Sequence, residues 1–256
     1  MYEYEGLQDV IFIALYCVAA FAALVAAVYL LWRRGNAFMQ EKSRGGPERL
    51  AVRSSRRLRR WTAALMLAIV GSHVWWYVFG QVWLTDDQLV RNIVDIVLDD
   101  VTLIPLTMAM LLSMLQDRHR RLWPWLAGQT VVAAAAVAGI AGRSECWGYE
   151  VTYYAELALI AVFIGYYALA LRHYGRWLLD NFADLEHKEV WQSLAFAVAL
   201  FVVYEVYTSN GGELLREYLA QVITLVIIAF LLWRVETLQA LPSEEEMEDK
   251  ETGRRE

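Results

Sequence analysis

Carboxylates and one histidine fall inside apolar stretches of this sequence that are long enough to cross a membrane. All of them lie toward the same side of the predicted membrane: His73, Asp95, Asp99, Asp100, Glu156 and Glu205. Asp95 and Asp99 are four residues apart, so they share one helix face. Ionisable groups within a membrane are costly and generally mark binding sites or ion pathways. Carboxylates in this setting would suit a small cation, an amine or a metal ion.

Aromatic residues with polar tips occur at the same level of the predicted helices. Trp76, Tyr153 and Tyr204 are the aromatic candidates for such a pocket. The full set of predicted ligand-binding residues is His73, Asp95, Asp99, Glu156, Glu205, Trp76, Tyr153 and Tyr204. The alternative is that tryptophan and tyrosine simply mark a membrane interface, where both are enriched. A single histidine such as His73 is also a common hydrogen-bonded core residue.

Catalytic chemistry has little support in the sequence. His73, Asp99 and Glu156 could converge on a metal ion, but there is no motif such as HExxH to strengthen that reading. There is no Gly-rich phosphate loop, and Ser72, which adjoins His73 in sequence, is predicted to point elsewhere on the helix. The seventh apolar stretch contains no lysine, which excludes a retinal Schiff base. We therefore expect no catalytic activity and no cofactor in this chain. Among cofactors, only a metal ion has any support in the sequence, and that support is weak.

Seven continuous apolar stretches position these residues. They span 10–32, 61–84, 93–115, 122–141, 151–171, 190–207 and 214–233. About 20 apolar residues cross the hydrocarbon core as a helix. The first stretch follows an acidic start, whereas a signal peptide has a basic one, so we interpret it as a retained helix. The sequence therefore predicts an all-α, polytopic membrane protein with seven transmembrane helices.

The basic residues define a topology for these helices. Only Arg91, Arg143 and Arg216 of the 23 lysines and arginines fall on one side of the predicted membrane. Because basic loops remain in the cytoplasm, the N-terminus is predicted outside and the C-terminus inside. We expect a multi-pass protein of a bacterial inner (plasma) membrane.

The chain divides into a bundle at 1–241 and an acidic cytoplasmic tail at 242–256 that should be disordered. Helix seven is predicted to continue through Arg234, Glu236 and Leu238 to Gln239 before Pro242 ends it. Segment 176–193 is predicted to be an interfacial amphipathic stretch. Alanines 19, 23 and 27 are spaced for close helix packing, either within one bundle or in a homodimer. The inner halves of the helices are expected to lack ionisable groups.

The sequences RWLLDNFADLEHKEVWQS at 176–193 and LLWRVETLQ at 231–239 resemble the membrane portion of bacterial membrane-anchored regulators. In that family a seven-helix sensor precedes an AraC-type helix-turn-helix domain or a histidine kinase. The resemblance implies a sensory role, with output through helix seven. This chain departs from the pattern because an acidic tail follows Pro242.

The sequence thus favours a sensor that binds a small cationic or polar ligand in an outer pocket. Arg234, Glu236 and Leu238 would relay the change to a cytoplasmic output module or regulator. Intramembrane carboxylates also mark ion- or proton-coupled transporters, and a membrane metalloenzyme is the third alternative. A transporter is expected to have internal repeats, which this sequence lacks.

Overall fold

The computed structural model describes residues 7–33, 54–81, 88–141, 145–182, 190–208 and 213–241. These residues form seven α-helices, and no strand occurs among them. The helices are α1 (Leu7–Trp32), α2 (Arg56–Gln81), α3 (Gln88–Met114), α4 (Trp123–Ala141), α5 (Glu145–Asn181), α6 (Trp191–Thr208) and α7 (Glu213–Thr237). The all-α prediction is confirmed. The predicted tail at 242–256 lies outside the described residues.

Five of the seven helices are long and apolar enough to cross a membrane. The qualifying stretches are Val10–Trp32, Arg56–Phe79, Val97–Met114, Val151–Asn181 and Tyr218–Thr237. Helices α4 and α6 contribute shorter apolar stretches, Trp123–Ala138 and Trp191–Val202. Large apolar side chains such as Phe21, Val162 and Val226 point outward and are mostly exposed. So much exposed apolar surface is unusual for a soluble protein, and it agrees with the predicted membrane character.

Each helix packs against its neighbour in sequence from α1 to α6, and α7 packs against α1 and α2. Small residues allow the close approach of α1: Ala19, Ala23 and Ala27 are completely buried within the bundle. Their spacing therefore serves packing within one chain. On α6, the ring of Phe196 stacks on Phe230 of α7 with centroids 4.3 Å apart.

One end of the bundle collects nearly all the described basic side chains. It is the end at which α1, α3, α5 and α7 finish and α2, α4 and α6 begin, and we call it the basic end. A hydrogen bond joins two of these helix ends directly. Arg59, near the start of α2, donates to the carbonyl of Leu30, near the end of α1 (3.4 Å).

Three helix boundaries at the basic end differ from the predicted stretches, the first being the start of α2 at Arg56, before the predicted stretch 61–84. Helix α5 continues to Asn181, and its residues Trp177 and Leu178 are buried in the core. The start of the predicted interfacial stretch 176–193 is therefore part of a packed helix, because its apolar side chains have the bundle to pack against. Helix α7 ends at Thr237. The prediction that the helix continues through Leu238 to Gln239 is therefore wrong, since neither residue is helical.

Candidate functional site

Six polar side chains from five helices form a connected group at one level of the bundle, which we call the acidic layer. They are His73 (α2), Asp99 and Asp100 (α3), Gln129 (α4), Glu156 (α5) and Gln221 (α7). Asp99 is half-buried and the other five are buried. Burying a polar group is unfavourable unless it is hydrogen-bonded. The partners of these side chains therefore indicate what the layer can bind.

His73 joins α2 to α1 and α7. Its Nδ1 lies 2.8 Å from the carbonyl of Ile69, one turn earlier, and its Nε2 lies 3.0 Å from the Gln221 side-chain oxygen. The ring of Tyr16 lies on the imidazole with centroids 4.6 Å apart, and the Tyr16 hydroxyl donates to the His73 carbonyl. A carbonyl only accepts, so Nδ1 carries a proton. Nε2 then either accepts from the Gln221 amide group or, in the imidazolium form, donates to its oxygen.

Asp99 is held by three donors from one face of α2. The indole N–H of Trp75 donates to Oδ1 (3.1 Å), the indole N–H of Trp76 donates to Oδ2 (2.9 Å), and Ser72 donates a further hydrogen bond. Residues 72, 75 and 76 share a helix face because they are three and four positions apart. Neutral donors thus stabilise the carboxylate between α2 and α3.

Glu156 is completely buried and only partly satisfied. Its Oε2 accepts a hydrogen bond from Nε2 of Gln129 at 2.9 Å. Its Oε1 and the side-chain oxygen of Gln129 are both buried with no hydrogen-bond partner. Asp100 lies close enough to interact electrostatically with Glu156 and with Asp99. This part of the acidic layer is rich in acceptors and poor in donors.

The structure brings some of the predicted pocket residues together. Asp99 meets Trp76 directly, and His73 interacts electrostatically with Asp99. Tyr153 is half-buried and packs on Tyr154, with ring centroids 5.3 Å apart. The side chains of the remaining three predicted residues lie outside the described part of the chain: Asp95, Tyr204 and Glu205.

Sequence reasoning missed the two glutamines of the layer, Gln129 and Gln221. Both are buried polar residues inside apolar helices, each bonded to an ionisable residue that was predicted. The signal was present, because an amide in a membrane-length apolar stretch also needs a partner. A search restricted to ionisable residues could not find it.

The metal centre considered from His73, Asp99 and Glu156 is not assembled. Among the side chains that the structure describes, no three of His, Cys, Asp and Glu converge as ligands. Both ring nitrogens of His73 already contact protein groups.

A second buried polar layer lies at the basic end. This basic-end layer consists of Arg59, Asp117, Arg120, Arg234 and Glu236. Its members lie at the helix ends, just outside the predicted apolar stretches, so they do not contradict the prediction that the inner halves of those stretches lack ionisable groups. The sequence placed Arg59, Asp117 and Arg120 in loops, where charges are normally solvated. They are buried instead because they face one another across the helix ends.

The relay residues predicted from sequence all belong to this region. Glu236 accepts from Nη2 of Arg59 at 3.0 Å, and the pair is buried. The guanidinium of Arg234 lies over the ring of Trp233, 5.8 Å from its centroid. Leu238 is buried in the core just after the helix ends. These three residues are therefore internal.

Asp117 and Arg120 form a second ion pair, in which both guanidinium Nη atoms donate to the carboxylate (Nη2 to Oδ2, 2.8 Å). Next to it, the Gln116 side chain holds the segment that follows α7. Its Nε2 donates to the carbonyl of Gln239 (2.8 Å), and its Oε1 accepts from the N–H of Leu241 (2.8 Å). One side chain thus satisfies a carbonyl and an N–H group of the non-helical segment that follows α7.

Helices α2 and α7 are joined at both layers. His73 contacts Gln221 in the acidic layer, and Arg59 pairs with Glu236 in the basic-end layer. Fourteen residues separate the two positions on α2 and fifteen separate them on α7, which correspond to about 21 Å and about 22 Å at 1.5 Å per residue. The two contacts therefore match in spacing, so the helix pair is linked at two depths.

Comparison with protein-family models, with curated proteins and with solved structures finds no significant match to this chain.

Proposed function

We propose that this chain is a seven-span membrane sensor with its N-terminus outside and its C-terminus in the cytoplasm. The orientation is supported by the basic end, because arginine and lysine are retained on the cytoplasmic side. Helices α4 and α6, whose described apolar stretches are the shortest, would complete the seven spans. The acidic layer then opens from the outer side, and the basic-end layer faces the cytoplasm.

The acidic layer binds a small cationic or polar ligand in this proposal. Glu156 supports it most directly, since a fully buried carboxylate has an oxygen without a donor. A ligand that supplies positive charge would satisfy that oxygen. Ionisable groups of this kind in membrane helices generally have a functional role.

The main support for a sensory function is that α2 and α7 contact each other in both layers, through His73 and Gln221 and through Arg59 and Glu236. A ligand that shifts α2 or α7 in the acidic layer strains a helix pair that is also fixed at Arg59 and Glu236. Packed helices respond to such strain by small rigid shifts. The shift would reach residues 238–241, which Gln116 holds at the cytoplasmic end. An output module or regulator, of the helix-turn-helix or histidine-kinase kind, would read it there.

Transport is less well supported by the described residues. Between the two layers, most of the buried side chains that the structure describes on α2, α3 and α7 are apolar, among them Leu65, Met108 and Ile228, and the polar exceptions are the uncharged Thr62 and Ser113. A solute or ion that crossed the bundle would need polar groups along that path. The present arrangement favours relay of a conformational change over passage of an ion.

The test is a ligand-dependent change at the cytoplasmic end. Both cysteines of the sequence, Cys17 and Cys146, would be replaced, and Ala240→Cys would be introduced at an exposed position just after α7. In nanodiscs, the rate of thiol labelling would be measured with a panel of metal ions and amines. The proposal expects at least one binder to change the rate, and Gln221→Leu to abolish the change. If compounds bind and the labelling rate never changes, the sensory function is wrong.

A further inference from the structure

Gln129 and Glu156 are hydrogen-bonded between the packed helices α4 and α5, and Asp100 on α3, which packs against α4, interacts electrostatically with Glu156. Glu156 is completely buried, Gln129 is 3% exposed and Asp100 is 8% exposed. Two of their oxygens, Oε1 of Glu156 and Oε1 of Gln129, are buried without a hydrogen-bond partner. An unpaired buried acceptor destabilises the fold, and more so when it is charged. Such a group calls for a positively charged partner.

Side chains of this protein do not supply that charge in the described part of the chain. Apart from His73, the basic side chains that the structure describes lie at the basic end, about 21 Å along the helices from the acidic layer. His73 itself contacts Ile69 and Gln221 and interacts with Asp99. Asp99 is satisfied separately by donors from α2. Asp100 and Glu156 are therefore the carboxylates of the acidic layer for which a cation would have to come from outside the protein.

We propose that Asp100, Glu156 and Gln129 bind one hard divalent cation of the calcium or magnesium class. This proposal rests on the proposed function and names the ligand class of the same layer. One divalent ion would balance the two carboxylate charges, and buried charges in proteins are typically paired or coordinate a metal. The available ligands are two carboxylates and one amide oxygen, and hard cations prefer such oxygen ligands.

The ligand chemistry also argues against other cations. Zinc and copper favour nitrogen or sulfur ligands, whereas the three side chains of this group offer only oxygen. The complete burial of Glu156 favours a bare ion over a larger amine. Gln129 has a second role, since its N–H group donates to Oε2 of Glu156 and leaves Oε1 of Glu156 for the ion. Hydrogen bonds of this kind orient the ligands of metal sites.

Binding of radioactive Ca²⁺ to the purified full chain in nanodiscs tests the proposal. The variants are Asp100→Asn and Glu156→Gln, each of which removes one charge. Asp180→Asn is the matched control, because Asp180 is an exposed carboxylate near the far end of α5. We expect one saturable site per chain, displaced by Mg²⁺ at higher concentration and not by Na⁺. Affinity should fall by about tenfold or more in both variants, and it should be unchanged in Asp180→Asn.

Gln129→Leu provides a variant that keeps both carboxylates. Loss of a group that orients a ligand commonly reduces metal affinity by about 10–100-fold, so Ca²⁺ binding should weaken and remain detectable. Wild-type protein that binds neither Ca²⁺ nor Mg²⁺ overturns the proposal without reference to any variant. Equal Ca²⁺ affinity in wild type, Asp100→Asn and Glu156→Gln also overturns it, since the ion would then bind elsewhere.

The outcome is separable from that of the sensory function. Ca²⁺ binding that follows the expected pattern, with no change in labelling at Ala240→Cys, would support the cation site and contradict the relay. Amine-dependent labelling without any Ca²⁺ or Mg²⁺ binding would support the relay and contradict the cation site.

Discussion

Arg59 and Glu236 are 177 positions apart in sequence and form a buried ion pair with an Nη2–Oε1 distance of 3.0 Å. The pair ties the start of α2 to the last turn of α7. Arg59 also donates to the hydroxyl of Ser54 at 3.0 Å and to the carbonyl of Leu30. Its guanidinium is therefore the main polar junction between α1, α2 and α7 at the basic end.

Removal of one member of this pair should destabilise the bundle strongly. Glu236→Leu leaves the Arg59 charge buried without its partner, a change that typically costs about 3–5 kcal/mol. The double variant Arg59→Met with Glu236→Leu should recover most of that loss. Thermal unfolding in detergent measures both effects. Arg60→Met is the control, because Arg60 is exposed on the adjacent turn. Equal stability of Glu236→Leu and Arg60→Met would show that the pair contributes nothing.

The indole groups that hold Asp99 should each contribute to stability. Trp75→Phe and Trp76→Phe keep an aromatic ring, which is smaller than the indole, and each removes one N–H donor to the carboxylate. A hydrogen bond to a charged group contributes about 1.5–3 kcal/mol. We expect each substitution to lower the unfolding temperature, and Trp32→Phe to have no effect, since Trp32 is exposed. Identical melting curves for all three variants would exclude the proposed role of the indoles.

Gln116 should control the order of residues 238–241. Gln116→Leu removes the donor to the carbonyl of Gln239 and the acceptor for the N–H of Leu241. Hydrogen exchange at Leu241 should therefore become faster, because its amide loses its protein partner. Gln116→Glu keeps an acceptor oxygen, so it should preserve much of the protection at Leu241. Fast exchange in Gln116→Glu and slow exchange in Gln116→Leu would contradict the assignment.

Reporter fusions test the proposed orientation. Fusions at Asn36, at Arg118 and after Leu241 should report the cytoplasm, and fusions at Asp86 and Cys146 should report the outside. The reason is the concentration of basic residues at one end of the helices. A consistent reversal at any of these positions would contradict the seven-span model.

The helices were predictable from the sequence because their apolar stretches are continuous, and five of the described helices are long enough to cross a membrane. Their ends were less predictable. The start of α2 at Arg56 and the extension of α5 to Asn181 carry charged residues, which a hydropathy pattern assigns to loops. Those charges are tolerated in the fold where a partner from another helix meets them, as Glu236 meets Arg59. Such pairing depends on three-dimensional neighbours, which one sequence does not reveal.

The candidate site was predictable in part for the same reason. Asp99 and Glu156 were identified from their residue type within apolar stretches. Their partners were not, because Gln129 and Gln221 attract attention only once they are placed beside Glu156 and His73. The separation of the layer into a satisfied part at Asp99 and an acceptor-rich part at Glu156 follows from hydrogen bonds alone.

Hydrogen exchange at residues 238–241 in wild type and Gln221→Leu tests the relay most directly. The substitution breaks the contact with His73 in the acidic layer, about 22 Å along α7 from Glu236. Thr224→Val is the matched control, since the Thr224 hydroxyl donates to the carbonyl of Ala220 within α7. The account predicts altered exchange at 238–241 in Gln221→Leu and unchanged exchange in Thr224→Val. Unaltered exchange in a folded Gln221→Leu protein would show that the two layers are not coupled through α7.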